Sequence, residues 1–380
     1  MNLNELPYQI GLTLLPNIGD VLAKNILSYC GSASEVFSTK EKLLQKIPGI
    51  GEINARHILS NKGVLNRADE EVEFILKYNI KPLFFSDPDY PQRMKYCNDS
   101  PVMLYYKGNA DLNTEKIIAV VGTRLPNDYG KEMTKQFIQD LKGTGALVIS
   151  GLAYGIDAYS HKYALDNDLQ TVGIVAHGLD RVYPGTHTAL AKKMIKHGGL
   201  LTDFMSGTNP DAVNFPKRNR VVAGLCDALV VIQSKREGGS LITATIANSY
   251  NKDVFAFSGR PTDELSEGCN GLIKRNKAAL IESAADLLDA MNWISEPKKP
   301  NLPAGKAGKK QIPLLISLTD DEQKIAKTFA IKKQLHLDEI CYASEMSVSS
   351  VSTLLLQLEF SNLIKSKPGK VYEFFGVKIL

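Results

Sequence analysis

Between Lys116 and Gly259 the chain repeats one pattern: a short apolar, β-rich run, a turn, then a helix-length amphipathic stretch. The runs are KIIAVVG, GALVISG, QTVGIVAHG, GGLLTDF, DALVVIQ and DVFAFSG, and stretches such as 129–142 and 159–166 separate most of them. Strands that alternate with helices in this way build βαβ units and a mainly parallel sheet. Because the runs are almost continuously apolar, both faces of that sheet must be covered. The pattern predicts an α/β, doubly wound core over 116–294, closed by an amphipathic helix over 283–292.

The regions on either side read differently. Leu15 to Leu27 and Ile47 to Leu59 match each other: an apolar anchor, a proline, a tight turn containing glycine, and an amphipathic helix. Repeats of this kind look like helix-hairpin-helix units and predict a helical domain over 1–65. Their turn amides can take a phosphate or serve packing alone, and neither turn carries a lysine or arginine. A connecting region, 66–115, leads into the core and holds a short strand over 102–106. After Glu296 the segment to Pro313 carries lysine, proline and glycine with no acid, which predicts a linker over 295–313. Three short helices (320–331, 337–344, 347–358) and a two-stranded wing around Pro368-Gly369 then predict a winged-helix domain over 314–380.

Charge and cysteines narrow the function classes. The net charge of +4 is too small to argue for nucleic acid by itself, so the placement of basic residues must decide. In the tail, residues 311–380 hold eight lysines and eight acidic residues, and the third helix has no Arg, Lys or Asn to reach a base edge. A structural or protein-contact role and a duplex-reading role are both open for this domain. The five cysteines are scattered without metal-ligand spacing, so neither zinc nor a disulfide framework is expected. No basic-then-apolar leader opens the chain and no run has the length of a membrane span, so cytoplasmic residence is expected.

Chemistry in an open parallel sheet gathers where the strands end. Gly122, Thr123 and Arg124 leave the first core strand, and the Arg124 guanidinium is placed to take a phosphate in a forked contact. Gly151 and Gly155 follow the second strand, but G-x-G-x-x-G is absent and no acidic residue ends the next strand, so a dinucleotide is not expected. What remains is a glycine-lined turn at a helix N-terminus with Asp157 as a cap. His177, Asp180 and His187 lack a partner nucleophile and zinc spacing, so no catalytic or metal site is expected there. Lys217, Arg218 and Arg220 crowd the start of an apolar helix beside Phe215. They either contact an anionic chain or pair inward with carboxylates such as Asp203 or Asp227. Gly238, Gly239 and Ser240 open another helix and offer a second set of amides to an anion.

Six stretches together resemble the DNA-processing protein A (DprA/Smf) family. They are Gly122-Thr-Arg124, Ser150-Gly-Leu-Ala-Tyr-Gly-Ile-Asp157, Gly178 to Pro184, Phe215 to Gly224, Gly239-Ser-Leu-Ile-Thr243 and Gly268 to Ile273. The resemblance covers about 116–282 and implies a Rossmann-like core with helical and winged-helix flanks. It implies a protein without catalysis or cofactor that binds and protects single-stranded DNA, forms a homodimer through that core, and loads the RecA recombinase during natural transformation. It places DNA phosphates on Arg124, Gly151, Lys217, Arg218 and Ser240. Thr123, Asp203, Gly238 and Ser258 depart from the family's usual residues, and Gly185 and His187 stand where basic or asparagine residues often follow Tyr-Pro.

Two competing classes have discriminating features. A Rossmann-like nucleotide phosphoribohydrolase needs a carboxylate at the glycosidic bond, and Gly238 to Asn248 has none. A duplex-binding winged-helix regulator needs a basic recognition helix, which the neutral tail lacks.

Overall fold

A computed structural model describes residues 2–60, 62–293, 318–330, 332–361 and 363–375. The chain divides into two compact units, Met1–Ser283 and Ala284–Leu380. The expected linker, 295–313, lies outside the described residues.

The first unit opens with helices α1 (Leu6–Thr13), α2 (Asp20–Cys30), α3 (Ala33–Ser38), α4 (Glu41–Leu44), α5 (Glu52–Ser60) and α6 (Lys62–Tyr78). The matched sequence segments become α2 and α5 with the turns before them. In those turns Asn17 and Gly49 occupy equivalent left-handed positions, with φ of 59° and 86°. Asparagine and glycine are the residues that adopt this conformation at least cost, so the repeat preserves a backbone shape. The helices share one apolar core with the next elements: Leu6, Ile10, Ile26 and Ile58 cluster with Phe84, Val102, Met103 and Tyr105. The boundary expected at residue 65 therefore falls inside α6, and the connecting region is bound to the helices by common packing.

Next come β1 (Lys81–Phe84), α7 (Gln92–Lys95), β2 (Met103–Gly108), β3 (Ile117–Gly122), α8 (Asp128–Asp140), β4 (Leu147–Ser150), α9 (Ile156–Asp166) and β5 (Thr171–Ile174). They continue with α10 (Thr188–Lys196), β6 (Gly198–Thr202), α11 (Asn214–Leu225), β7 (Ala228–Ile232), α12 (Gly239–Ser249), β8 (Asp253–Phe257), α13 (Glu267–Lys274) and β9 (Ala279–Ile281). The strands form one sheet in the order β1-β2-β6-β5-β4-β3-β7-β8-β9. β1–β2 and β2–β6 pair antiparallel, and every other neighbouring pair is parallel. The doubly wound, mainly parallel core is thus present, with two antiparallel strands added at one edge.

The direction of winding sets where a ligand can sit. From β3 the chain builds outward through β4, β5 and β6, then returns to lay β7 on the other side of β3 and builds outward through β8 and β9. Beyond the carboxyl ends of β3 and β7 the crossovers part, and that divergence opens a crevice. Strands β3, β4, β5 and β7 are buried along nearly their whole length, as their uninterrupted apolar sequences require.

The second unit holds α14 (Ala284–Ala290), α15 (Asp320–Thr328), β10 (Gln334–His336), α16 (Leu337–Ser344), α17 (Val348–Phe360), β11 (Ile364–Lys367) and β12 (Val371–Phe374). Its three strands pair in the order β10-β12-β11, and Ile325, Ile340, Val351, Leu355, Leu358 and Ile364 form its core. This is the winged-helix arrangement. Thr319 and Glu322 close a capping box on α15, and Ser347 caps α17.

Candidate functional site

At the divergence of β3 and β7 lies a cavity of about 280 Å³. Three strand ends supply its walls: Gly122 to Arg124 after β3, Gly151, Ala153 and Asp157 after β4, and Ser234, Lys235 and Glu237 to Ser240 after β7. Helix α11 closes it with Phe215, Arg218, Asn219 and Val222.

The β3 turn is fixed by its backbone. Thr123 N donates to Gln233 O at 2.8 Å, and Thr123 O accepts from Ile156 N at 3.2 Å. Gly155, with φ of +78°, lies so close beneath that a Cβ there would stand 2.2 Å from Thr123 O. Only glycine permits this approach and this conformation together. Arg124 stands exposed on the turn, its guanidinium carbon 5.6 Å from the Phe215 ring centroid.

Arg218 approaches the same ring from inside, at 6.0 Å, and is buried. Its Nη1 donates to Gly151 O and to Ile174 O, and its Nε donates to Asn219 Oδ1 at 3.1 Å. Nη2 has no hydrogen-bond partner among the described residues. Phe215 therefore carries two guanidiniums within cation–π distance. Gly151 makes room for this, because a Cβ there would lie 2.3 Å from Arg218 Nη1.

The amides of the β4 turn are already engaged. Asp157, buried in the first turn of α9, accepts from Gly151 N at 3.0 Å and from Ala153 N at 3.4 Å. It is not the expected helix cap: Gly155 is the N-cap of α9, with no side-chain cap hydrogen bond, and the Asp157 carboxylate reaches back to fill the nest that the sequence offers to an incoming phosphate. Burial pushes the Asp157 carboxyl above the ordinary range, while Arg218 pulls it back. Gly151 thus contributes shape and a carbonyl acceptor for Arg218, and its amide is spent inside the protein. The same wall buries His161, whose imidazole is driven down to about 3 by burial, with His187 and Arg218 adding to the effect.

Across the cavity the N-terminus of α12 is open. Neither the Gly239 nor the Ser240 amide finds an acceptor among the described residues, and nothing lies within 4 Å of a Cβ placed on Gly239. These amides carry the positive end of an eleven-residue helix into the cavity. The Ser240 hydroxyl turns away to donate to Ser234 Oγ at 2.9 Å. Lys235 and Glu237 also line the cavity, and sequence reading missed both because they lie in a turn before the glycines.

The basic cluster on α11 is divided. Arg218 faces this cavity, whereas Lys217 and Arg220 line a different one of about 1170 Å³ shared with Asp20, Asp99 and Asp203. Residues at i and i+2 of a helix point to different sides, so three adjacent cations cannot converge on one anion. Arg220 Nη2 meets Asp20 Oδ2 at 2.8 Å and Asp203 Oδ2 at 3.2 Å, and Nη1 donates to the Asp99 carbonyl. Of the expected sites, Gly122, Thr123, Arg124, Gly151, Arg218, Gly239 and Ser240 come together, while Lys217 and Arg220 do not. Asp227, the other carboxylate considered for them, is bound instead by Arg93 at 2.6 and 2.8 Å.

His177 is a satisfied neutral imidazole: its Nδ1 pairs with Gly178 O and its Nε2 accepts from Tyr183 N. Asp180 accepts from Gly207 N and Arg181, which holds the loop. Among the described residues no group of three or more His, Cys, Asp or Glu side chains could hold a metal ion, and no helix is long and apolar enough to cross a membrane.

Comparison with known proteins gives a consistent grouping. The family model described as DNA recombination-mediator protein A matches residues 81–292, and the DprA winged helix domain model matches 310–370. Protein Smf of Synechocystis is 29% identical over 97% of this chain and 99% of its own length. The crystal structure of DNA processing protein A from Streptococcus pneumoniae superposes with a TM-score of 0.65 at 29% identity, covering 74% of this chain and 97% of that one. A Helicobacter pylori DNA processing protein A, described for its single-stranded DNA binding mode, has a TM-score of 0.52 at 26% identity over 57% of this chain and 96% of that one.

Proposed function

Because the chain belongs to the DNA recombination-mediator protein A family, we propose that its β3–β7 cavity grips single-stranded DNA without catalysing a reaction. Phe215, flanked by the Arg124 and Arg218 guanidiniums, carries this reading. An aromatic face beside two cations suits a strand that presents both bases and phosphates, because bases stack and phosphates pair. The open α12 amides add a third site for negative charge.

The geometry limits the other readings. The run opening α12 has no carboxylate, Asp157 is spent on backbone amides, and Glu237 is exposed on the turn. A hydrolase would need a carboxylate held against a sugar carbon in a water-excluded site. In the winged-helix unit α17 has no cation and buries Val351, Leu355 and Leu358, which supports a structural or protein-contact role.

The physiological role that follows is protection of incoming single strands and delivery of RecA onto them during natural transformation, by a homodimer joined through the Rossmann-like core. A strand-exchange assay with RecA and a single-strand-binding protein tests it. Faster exchange in the presence of this protein, lost in Arg124→Ala, is expected; no acceleration rejects the mediator role. Release of base from nucleoside monophosphates, abolished by Arg124→Ala, would replace it with the hydrolase.

A further inference from the structure

Helix α9 works on two sides. Its inner side carries Asp157 and His161 into the protein behind the DNA cavity. Its outer side borders a groove of about 740 Å³ shared with α10, where the partly buried Ala158, Leu165 and Leu190 supply apolar surface. Lining residues recur at 158, 162 and 165 on α9 and at 189, 193 and 196 on α10, the spacing of one helix face each.

The β4 turn belongs to both spaces. Ala153 lines the cavity, whereas Tyr154 and Gly155 line the groove. A Cβ on Gly155 would lie 2.6 Å from the Arg124 carbonyl, so the mouth of the groove and Arg124 are fixed to each other. Within the turn Leu152 holds a left-handed φ of 54°, a costly conformation for a bulky residue, and its carbonyl accepts from His187 Nδ1 at 3.0 Å. The His187 ring meets Tyr154 edge to face, with centroids 5.1 Å apart. That contact orients Tyr154, which stays 47% exposed at the mouth.

Charge runs along the walls. Lys162 on α9 and Lys193 and Lys196 on α10 are exposed and line the groove. The two carboxylates that line it, Asp166 and Asp168, stand at the opposite end from Tyr154, and Asp168 lies 3.3 Å from His197. An oriented ring followed by lysines supplies stacking for a base and attraction for phosphates. An acidic peptide would use the lysines and leave Tyr154 idle, whereas a strand leaving the cavity beside Arg124 meets Tyr154 first.

We propose that the α9–α10 groove continues the path of the single strand: a base leaving the cavity stacks on Tyr154, and the phosphates beyond it follow Lys162, Lys193 and Lys196. This rests on the reading of the β3–β7 cavity as the primary site.

Thymidine oligomers of two lengths separate the subsites: a tetramer that fills the cavity and a homopolymer long enough to cross the turn into the groove. In the full-length protein, Tyr154→Ala should weaken binding of the long oligomer by about tenfold with its salt slope unchanged, because stacking carries no charge. Tyr154→Phe should bind like the parent. Replacing Lys162, Lys193 and Lys196 together with Gln should weaken the long oligomer and shrink its log–log salt slope by about 0.7 for each phosphate no longer neutralised. Tetramer binding should not change in any of these variants. Unchanged long-oligomer affinity and slope overturn the proposal, including the case in which the lysine variant loses only an acidic peptide or self-association. Equal weakening for both lengths overturns it too. Arg124→Ala, measured in parallel, reports on the cavity: if it affects neither length, the primary-site reading fails while the groove variants still read independently.

Discussion

Two arginines on one helix, Arg218 and Arg220, have opposite surroundings. Arg218 is held mainly by carbonyl and amide oxygens, those of Gly151, Ile174 and Asn219, and carries its charge to the cavity rim. Arg220 is held by two carboxylates, Asp20 and Asp203, and joins α2 of the helical layer to the sheet. Neutral oxygens orient a guanidinium without cancelling its charge, whereas a pair of carboxylates cancels it. The first arrangement leaves attraction for a ligand, and the second leaves a buried structural tie.

This contrast can be broken most forcefully at Arg220. Arg220→Ala strands the Asp203 carboxyl, whose side chain is 6% exposed, and should cost about 3–5 kcal/mol in chemical denaturation. DNA affinity of the folded fraction should hold. A stability loss below about 1 kcal/mol would mean that solvent screens the pair and the tie adds little.

The cavity side has its own stability signature, which is pH-dependent. Unfolded His161 takes up a proton below about 6.5, but the folded imidazole, facing Thr171 with His187 and Arg218 nearby, does not until about 3. The unfolded state therefore binds the extra proton in that window, and stability falls as pH falls. Between about pH 6.5 and pH 5 this amounts to about 2 kcal/mol. Denaturation of His161→Gln should show a flatter profile there; a parallel decline would assign the acid sensitivity elsewhere.

Ligand affinity should sharpen the contrast further. Arg124→Ala should lower affinity for a thymidine oligomer by about tenfold and reduce the salt slope by about 0.7, with no change in stability. Gly151→Ala should mimic the affinity loss by pushing Arg218 aside. The smallest effect belongs to Lys217→Ala, expected within about twofold of the parent because the side chain lines the Arg220 face. Equal losses for Lys217→Ala and Arg124→Ala would contradict the division of the cluster.

The alternating apolar runs and amphipathic stretches were enough to predict the doubly wound sheet, since strand burial and helix periodicity are local properties written in residue type. Gly122, Arg124, Gly151 and Gly239 were legible as strand-end or helix-start residues for the same reason. The core strand β9 was missed because only three residues form it, and β1 because Lys81 and Pro82 obscure its short pattern. Asp157 was legible as an acidic residue at the start of α9 but was misread as its cap, because filling the Gly151 and Ala153 amides depends on how tightly the turn closes around it. No spacing rule could place Asp20 against Arg220, 200 residues apart.

Residue types and their periods thus determined the sheet, its strand ends and a supply of cations and open amides near them. Tertiary structure alone decided which cations remain available, because a charge is neutralised by its neighbours in space. Asp20, Asp203 and Asp157 reach their partners only through the packing of helices and the winding of the sheet.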